Sequence, residues 1–272
     1  MTTHHLTIKD IRISYIEQNP ASLKTIFFIH GNSTSSATWK KQFRSDLFSS
    51  FRLVAIDLPA HGASEASPVT ERDYTLAGLA SIVTEFIQEL EMGPYILCGS
   101  SLGTNILAEM IPFGIDPSGI LFAGPCLMGE GLGREKIAIP GADISALLKD
   151  ESPIEAVLHY GKLICHSTDP EDLETFNTDF NKVQSPFRSV FINSIFSGNL
   201  GDEIKQVNSI SCPLAWVFGA DEKVVDPNYL NEVDVPKWKE KVFKIPDAGH
   251  LVNVDQPEAF NKILADFAGE CY

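Results

Sequence analysis

A chain of 272 residues that is 44% apolar is long enough to bury the core of one large domain, with or without an insertion. Its 21 basic and 36 acidic side chains leave a formal charge of −15, spread along the sequence rather than gathered in a tail. Such a surface repels polyanions, so neither nucleic acid nor an anionic membrane is an expected partner. The five cysteines, at 98, 126, 165, 212 and 271, form no C-x-x-C pair, which speaks against a disulfide framework or a zinc site and suits a reducing compartment.

The opening "MTTHHLTIKD" has no basic segment leading into an apolar one, and no apolar run approaches the ~18 residues of a membrane helix. A cytoplasmic chain is expected. Residues 6–9 and 11–16 alternate well enough for an antiparallel hairpin, with His4 and His5 ahead of it on a frayed end. Nearly all-apolar runs follow at 25–29, 53–56, 95–98, 119–122, 214–218 and 242–245. Continuous apolar strands are what a parallel sheet covered on both faces requires. Helical patterns lie between them at 38–48, 76–90, 101–110 and 257–267. The alternation predicts an α/β fold with a mostly parallel eight-stranded sheet and helices on both faces.

From 126 to 206 the rhythm breaks. Helical patches at 144–148, 153–164, 171–181 and 188–197 are separated by Gly, Pro and polar residues, with no clear apolar strand. The expected organisation is a core formed by 1–125 and 207–272, with a helical cap inserted at 126–206. Such a cap would sit over the carboxyl edge of the sheet, where open α/β sheets bind ligands. The other reading is a set of packing helices with no contact to a site.

The stretch Cys98-Gly99-Ser100-Ser101-Leu102-Gly103 joins an expected strand to an expected helix. Gly99-x-Ser101-x-Gly103 matches the nucleophile elbow in the strand–turn–helix setting that this motif demands. A sharp turn thrusts the central side chain outward, and only very small residues fit two places before and after it. Centring the turn on Ser100 would put Cys98 and Leu102 there, so Ser101 is the expected nucleophile. Its place at a helix N-terminus favours negative charge.

A serine hydroxyl needs a base. Of the histidines at 4, 5, 30, 61, 159, 166 and 250, His250 follows the last expected strand, on the same sheet edge as Ser101. The third member is expected after the strand at 214–218, in Gly219-Ala220-Asp221-Glu222. Adjacent side chains point different ways, so one acid reaches His250. The spacing G-x-x-acid ahead of an apolar pair and Pro favours Glu222, with Asp221 as the alternative. The order Ser101, acid, His250 is the one used on this kind of sheet, with the serine attacking, the histidine relaying its proton and the acid stabilising the imidazolium. For the oxyanion, the backbone N–H of Leu102 and that of Asn32, in His30-Gly31-Asn32-Ser33, are the expected donors. The Asn32 side chain is a candidate for substrate contact or for stabilising its own turn.

Together these residues resemble the α/β-hydrolase superfamily over nearly the whole chain outside the insertion. Asp57-Leu58-Pro59-Ala60-His61-Gly62-Ala63-Ser64 is similar to that superfamily's D-x-P-G-x-G-x-S loop, with Ala60 in place of glycine, and Trp39 is spaced as a packing residue. At finer grain the chain resembles the serine-dependent N-acyl-homoserine lactone lactonases, on His30-Gly31-Asn32-Ser33, on Glu222, on overall length and on Tyr160. That resemblance implies that Asn32 and Tyr160 lie near a lactone; Tyr160 is otherwise a buried helix tyrosine.

Serine at 101 excludes the chemistry of relatives that use aspartate there. The absence of H-x-H-x-D-H excludes the metal-dependent lactonases, so no metal is expected, and no nucleotide fingerprint points to a cofactor. The expected activity is hydrolysis of a carboxylic ester or lactone, with N-acyl-homoserine lactone favoured. A general short-chain carboxylesterase is the near alternative and a carbon–carbon bond hydrolase a more distant one. A ligand sensor that keeps the triad but turns over little is the alternative from another class. The sequence leaves oligomeric state open.

Overall fold

The computed structural model describes residues 2–272. Eight strands form one sheet: β1 Thr2–Ile8, β2 Ile11–Gln18, β3 Thr25–Ile29, β4 Arg52–Ile56, β5 Tyr95–Ser100, β6 Gly119–Ala123, β7 Leu214–Gly219 and β8 Val242–Ile245, in the order β1-β2-β4-β3-β5-β6-β7-β8. β1 pairs antiparallel with β2 and β2 with β4; every other pairing is parallel. This is the expected mostly parallel eight-stranded α/β-hydrolase fold.

The hairpin turns through Lys9 and Asp10, both at positive φ (50° and 64°), a two-residue geometry whose twist matches the strands it joins. His4 and His5 are not frayed. Both are paired in β1, and His4 stacks on Tyr15 with ring centroids 5.3 Å apart. An edge strand with one solvated face can carry polar residues on it, so its pattern is weaker than that of the inner strands.

The inner strands are buried along their length, and their side chains alternate between two cores. One face carries Phe27, Ile29, Val54, Leu97, Phe122 and Trp216 against the helices Leu76–Glu89 and Leu102–Met110. The other carries Ile26, Phe28, Ala55, Cys98 and Val217 against Trp39, Phe43, Phe48 and the helix Pro257–Cys271. Trp39 is fully buried against Phe28. Cys212, which borders β7, is only half-buried.

The helix expected over 38–48 is instead three short pieces, Ser36–Trp39, Lys40–Phe43 and Asp46–Phe48. Ser45 breaks it: its backbone is extended and its hydroxyl accepts the Leu47 N–H, a local bond that competes with helix continuation. Ala60, standing where glycine is usual, holds φ of 65°, in the left-handed region that favours glycine.

Between β6 and β7 lie the helices Ile154–Ile164, Pro170–Lys182 and Phe187–Phe196, with shorter turns at Arg134–Ile137 and Ser145–Leu148. They make a third apolar cluster of Val157, Tyr160, Ile164, Phe176 and Phe180, which Leu251 and Val254 join from the segment after β8. Lys40 and Lys41 reach across to the buried Asp172, at 3.3 and 2.6 Å.

Candidate active site

The loops that leave β3, β5, β6, β7 and β8 at their carboxyl ends converge on Ser101. That residue has φ 51° and ψ −120° between β5 and the helix Leu102–Met110, a conformation costing about 1–3 kcal/mol that its surroundings must impose. They do so by close approach. A Cβ on Gly99 would stand 2.6 Å from the Gly103 carbonyl oxygen, and one on Gly103 would strike the carbonyl oxygens of Ile29 and His30. Strand, helix and the β3 loop therefore touch through bare backbone. Ser100 is fully buried within β5, whereas Ser101 lines a cavity.

Three of the expected residues meet there. His250 Nε2 lies 2.8 Å from Ser101 Oγ and its Nδ1 lies 2.6 Å from Glu222 Oε2. The other Glu222 oxygen accepts the Lys223 and Val224 N–H groups at 2.9 and 2.8 Å. Asp221 is exposed and meets the histidine loop only through its backbone, donating to the Ala248 carbonyl. Burial alone would raise the Glu222 carboxyl, but the adjacent His250 and the backbone donors hold it below the ordinary carboxylate range. Burial alone would lower the His250 imidazole, but the Glu222 charge and hydrogen bond keep it above the ordinary histidine value.

Gly31 brings the β3 loop against the serine, since a Cβ there would be 3.1 Å from Ser101 Cβ. Asn32 and Leu102 line the same cavity as Ser101. Among the described residues neither of their backbone N–H groups has a hydrogen-bond partner, so both are available to a ligand. The Asn32 side chain accepts from Ser33 Oγ at 2.8 Å.

Two buried imidazoles brace this loop, and sequence reasoning had given them no role. His30 Nε2 accepts the Leu58 N–H at 3.0 Å while its Nδ1 donates to the Gly31 carbonyl. His61 Nε2 accepts the Ser33 N–H at 3.2 Å and its Nδ1 donates to Pro59. Each ring is both donor and acceptor, so each is neutral, and burial lowers the pKa of both. Arg188, unmarked by any motif, donates from the helix Phe187–Phe196 to Ser33 Oγ at 2.9 Å and lies over the Phe180 ring.

The cavity holds about 190 Å³ and is lined largely by apolar side chains, among them Ile137, Leu147, Phe191 and Val224. Tyr160 lines it from the helix Ile154–Ile164, with its hydroxyl held protonated by burial and by the nearby Glu222 charge. Behind Asn105, another lining residue, sits the fully buried Glu203. Its carboxylate accepts from Asn105 Nδ2 and from the Met128 N–H, and burial pushes its pKa up to about 8. Among the described residues no cluster of three or more His, Cys, Asp or Glu could hold a metal ion, and no helix is long and apolar enough to cross a membrane.

A strained serine on a strand-to-helix elbow, backed by an eight-stranded sheet of this order, defines a hydrolase of the α/β class. Residues 26–263 match the model of the alpha/beta hydrolase family, and the chain belongs to that family. It is similar to the crystal structure of the N-acyl homoserine lactonase AidH complexed with N-butanoyl homoserine. The two are 27% identical with a TM-score of 0.88, covering 100% of this chain and 97% of that one. A mutant of the same lactonase, complexed with N-hexanoyl homoserine lactone, is 26% identical with a TM-score of 0.88 over 100% and 98% of the two chains. A Bacillus subtilis (strain 168) protein provisionally named 2-succinyl-6-hydroxy-2,4-cyclohexadiene-1-carboxylate synthase is 24% identical over 98% of each chain.

Proposed function

We propose that this hydrolase cleaves a carboxylic ester or lactone through an acyl-enzyme on Ser101, and that its substrate is a short-chain N-acyl-homoserine lactone. The observation that carries the reading is the unbroken chain from Ser101 Oγ through His250 to Glu222, at 2.8 and 2.6 Å, opening on an apolar cavity.

In this reading Ser101 Oγ attacks the carbonyl carbon while His250 Nε2 takes its proton, and Glu222 stabilises the resulting imidazolium. The Asn32 and Leu102 N–H groups receive the developing oxyanion, each worth about 2.7–4 kcal/mol. His250 returns the proton to the leaving alkoxide oxygen, which in a lactone stays tethered to the acyl group. It then deprotonates the water that releases the acid. In the same reading Tyr160 and Asn32, which line the cavity, hold the substrate's polar groups. Residues 126–206 act as the cap, since Tyr160 and Phe191 line the cavity from within that segment. Five unpaired cysteines suit a cytoplasmic setting. A cavity near 190 Å³, below the ~300–1,000 Å³ of clefts for drug-sized ligands, also favours a general short-chain carboxylesterase as the second reading.

The test joins labelling to turnover. A serine-directed phosphonate should modify Ser101 in the native chain and nothing in Ser101→Ala, located by mass spectrometry. Proton release from butanoyl- and hexanoyl-homoserine lactones should then exceed that from aryl acetates. Labelling without steady turnover of either class would favour a sensor and sink the catalytic reading.

A further inference from the structure

Asp255 closes the one-turn helix Val252–Asp255, shortly after His250. Its Oδ2 accepts the Gly249 N–H at 2.8 Å. Its Oδ1 accepts the N–H groups of His166 and Ser167, each at 2.8 Å, and faces the Cys165 thiol at 3.4 Å. One carboxylate thus gathers three donors from the segment following the helix Ile154–Ile164 and one from the residue just before His250. On the other side of His250, the Leu251 N–H donates to the Ile164 carbonyl at 3.0 Å. The backbone of the base is therefore gripped on both flanks by the end of that helix. Packing reinforces the grip: a Cβ on Gly249 would stand 2.8 Å from the His166 ring, and Leu251 and Val254 share an apolar cluster with Tyr160 and Ile164. Tyr160 and Ile164, four residues apart, lie on one face of their helix.

We propose that Asp255 is a positioning residue for His250, a staple that locks the loop carrying the imidazole to the end of the cap helix carrying Tyr160. The proposal rests on His250 being the base, as argued above. A substrate that seats against Tyr160 then also sets the imidazole, because a shift of that helix pulls on the Gly249 and Leu251 amides together. The carboxylate also acts through its charge, adding to that of Glu222 in favouring the imidazolium. The remaining ionisable neighbours are Cys126 and Tyr160, which share the cavity, His166, whose ring flanks Gly249, and Lys41, which donates to the Val254 carbonyl and to Asp172.

The test compares Asp255→Asn with Asp172→Asn, which instead loosens the tie between residues 126–206 and Lys40 and Lys41. The His250 imidazole is titrated by NMR, and kcat and KM are measured for an aryl butanoate. Asp255→Asn should lower the imidazole midpoint and reduce kcat about tenfold with less change in KM; Asp172→Asn should leave the midpoint in place. An equal midpoint shift in both variants, or none in Asp255→Asn, overturns the staple. If Asp255→Asn does not fold, amide exchange in the native protein decides. The Gly249, His166 and Ser167 amides should show common protection, as groups released in one opening do, and unequal protection overturns the proposal. A midpoint shift in a protein that turns over no ester supports the staple and counts only against the hydrolase reading.

Discussion

At the loop after β7 two adjacent carboxylates have separate fates. Glu222 turns inward to His250 while Asp221 stays in solvent. Glu222→Gln should lower kcat by roughly 10⁴, the scale seen when a triad acid becomes an amide, and Asp221→Asn should leave it within about twofold; a larger loss in Asp221→Asn reverses the assignment. The pH profile gives a second check. With His250 as the proposed base, turnover needs its neutral form, and Glu222 raises the imidazole pKa, so the acid limb of kcat/KM should lie above the ordinary ~6.5 of histidine. Glu222→Gln removes that charge, so the limb should move to lower pH. At this scale Ser101, Glu222 and His250 were legible because each sits at a fixed offset from an apolar strand. His30, His61 and Arg188 were not, because no local spacing tells that an imidazole will be buried between two backbone partners, or that a distant guanidinium will reach Ser33.

Between elements, the decisive contact is the bare-backbone approach of β5, the helix Leu102–Met110 and the β3 loop. Gly103→Ala would drive a methyl into the carbonyl oxygens of Ile29 and His30, the latter at 3.0 Å. Overpacking of this kind costs about 1–3 kcal/mol, so thermal unfolding should shift down by roughly 3–10 °C, and activity should fall further because the displaced loop carries Asn32. An unchanged melting temperature would mean that the elbow is less tightly packed than it looks. The inner strands could be read from sequence because burial on both faces leaves an uninterrupted apolar run. Four of the helices between β6 and β7 could also be read, with ends displaced by a residue or two. The region over 38–48 misled, since its apolar spacing is helical while Ser45 diverts the backbone by a single hydroxyl contact.

For the molecule as a whole, cavity size and one buried acid make the testable statements. With about 190 Å³ available, kcat/KM should fall steeply once an acyl chain outgrows that space. A dodecanoyl lactone turned over as well as a butanoyl one would show that the cavity widens. Glu203 holds its proton to about pH 8 when folded, whereas in the unfolded chain it releases it near 4.3. Folding therefore binds a proton across that window, and stability falls with rising pH through it. Glu203→Gln lacks this slope, so its melting temperature relative to the native protein should climb from pH 5 to 8 and then level. A flat difference would mean that Glu203 ionises normally. The burial of Glu203 was not legible in the sequence, where no local pattern sets it apart from a surface acid.

The strand order also has a practical side. β5, which delivers Ser101, stands four steps from the open edge at β1, about 19 Å at ~4.8 Å per step. The β1 margin is the natural place for a tether. An enzyme immobilised there would keep the support four strands away from Ser101, whereas anchoring beside β8 would crowd the loop that bears the imidazole.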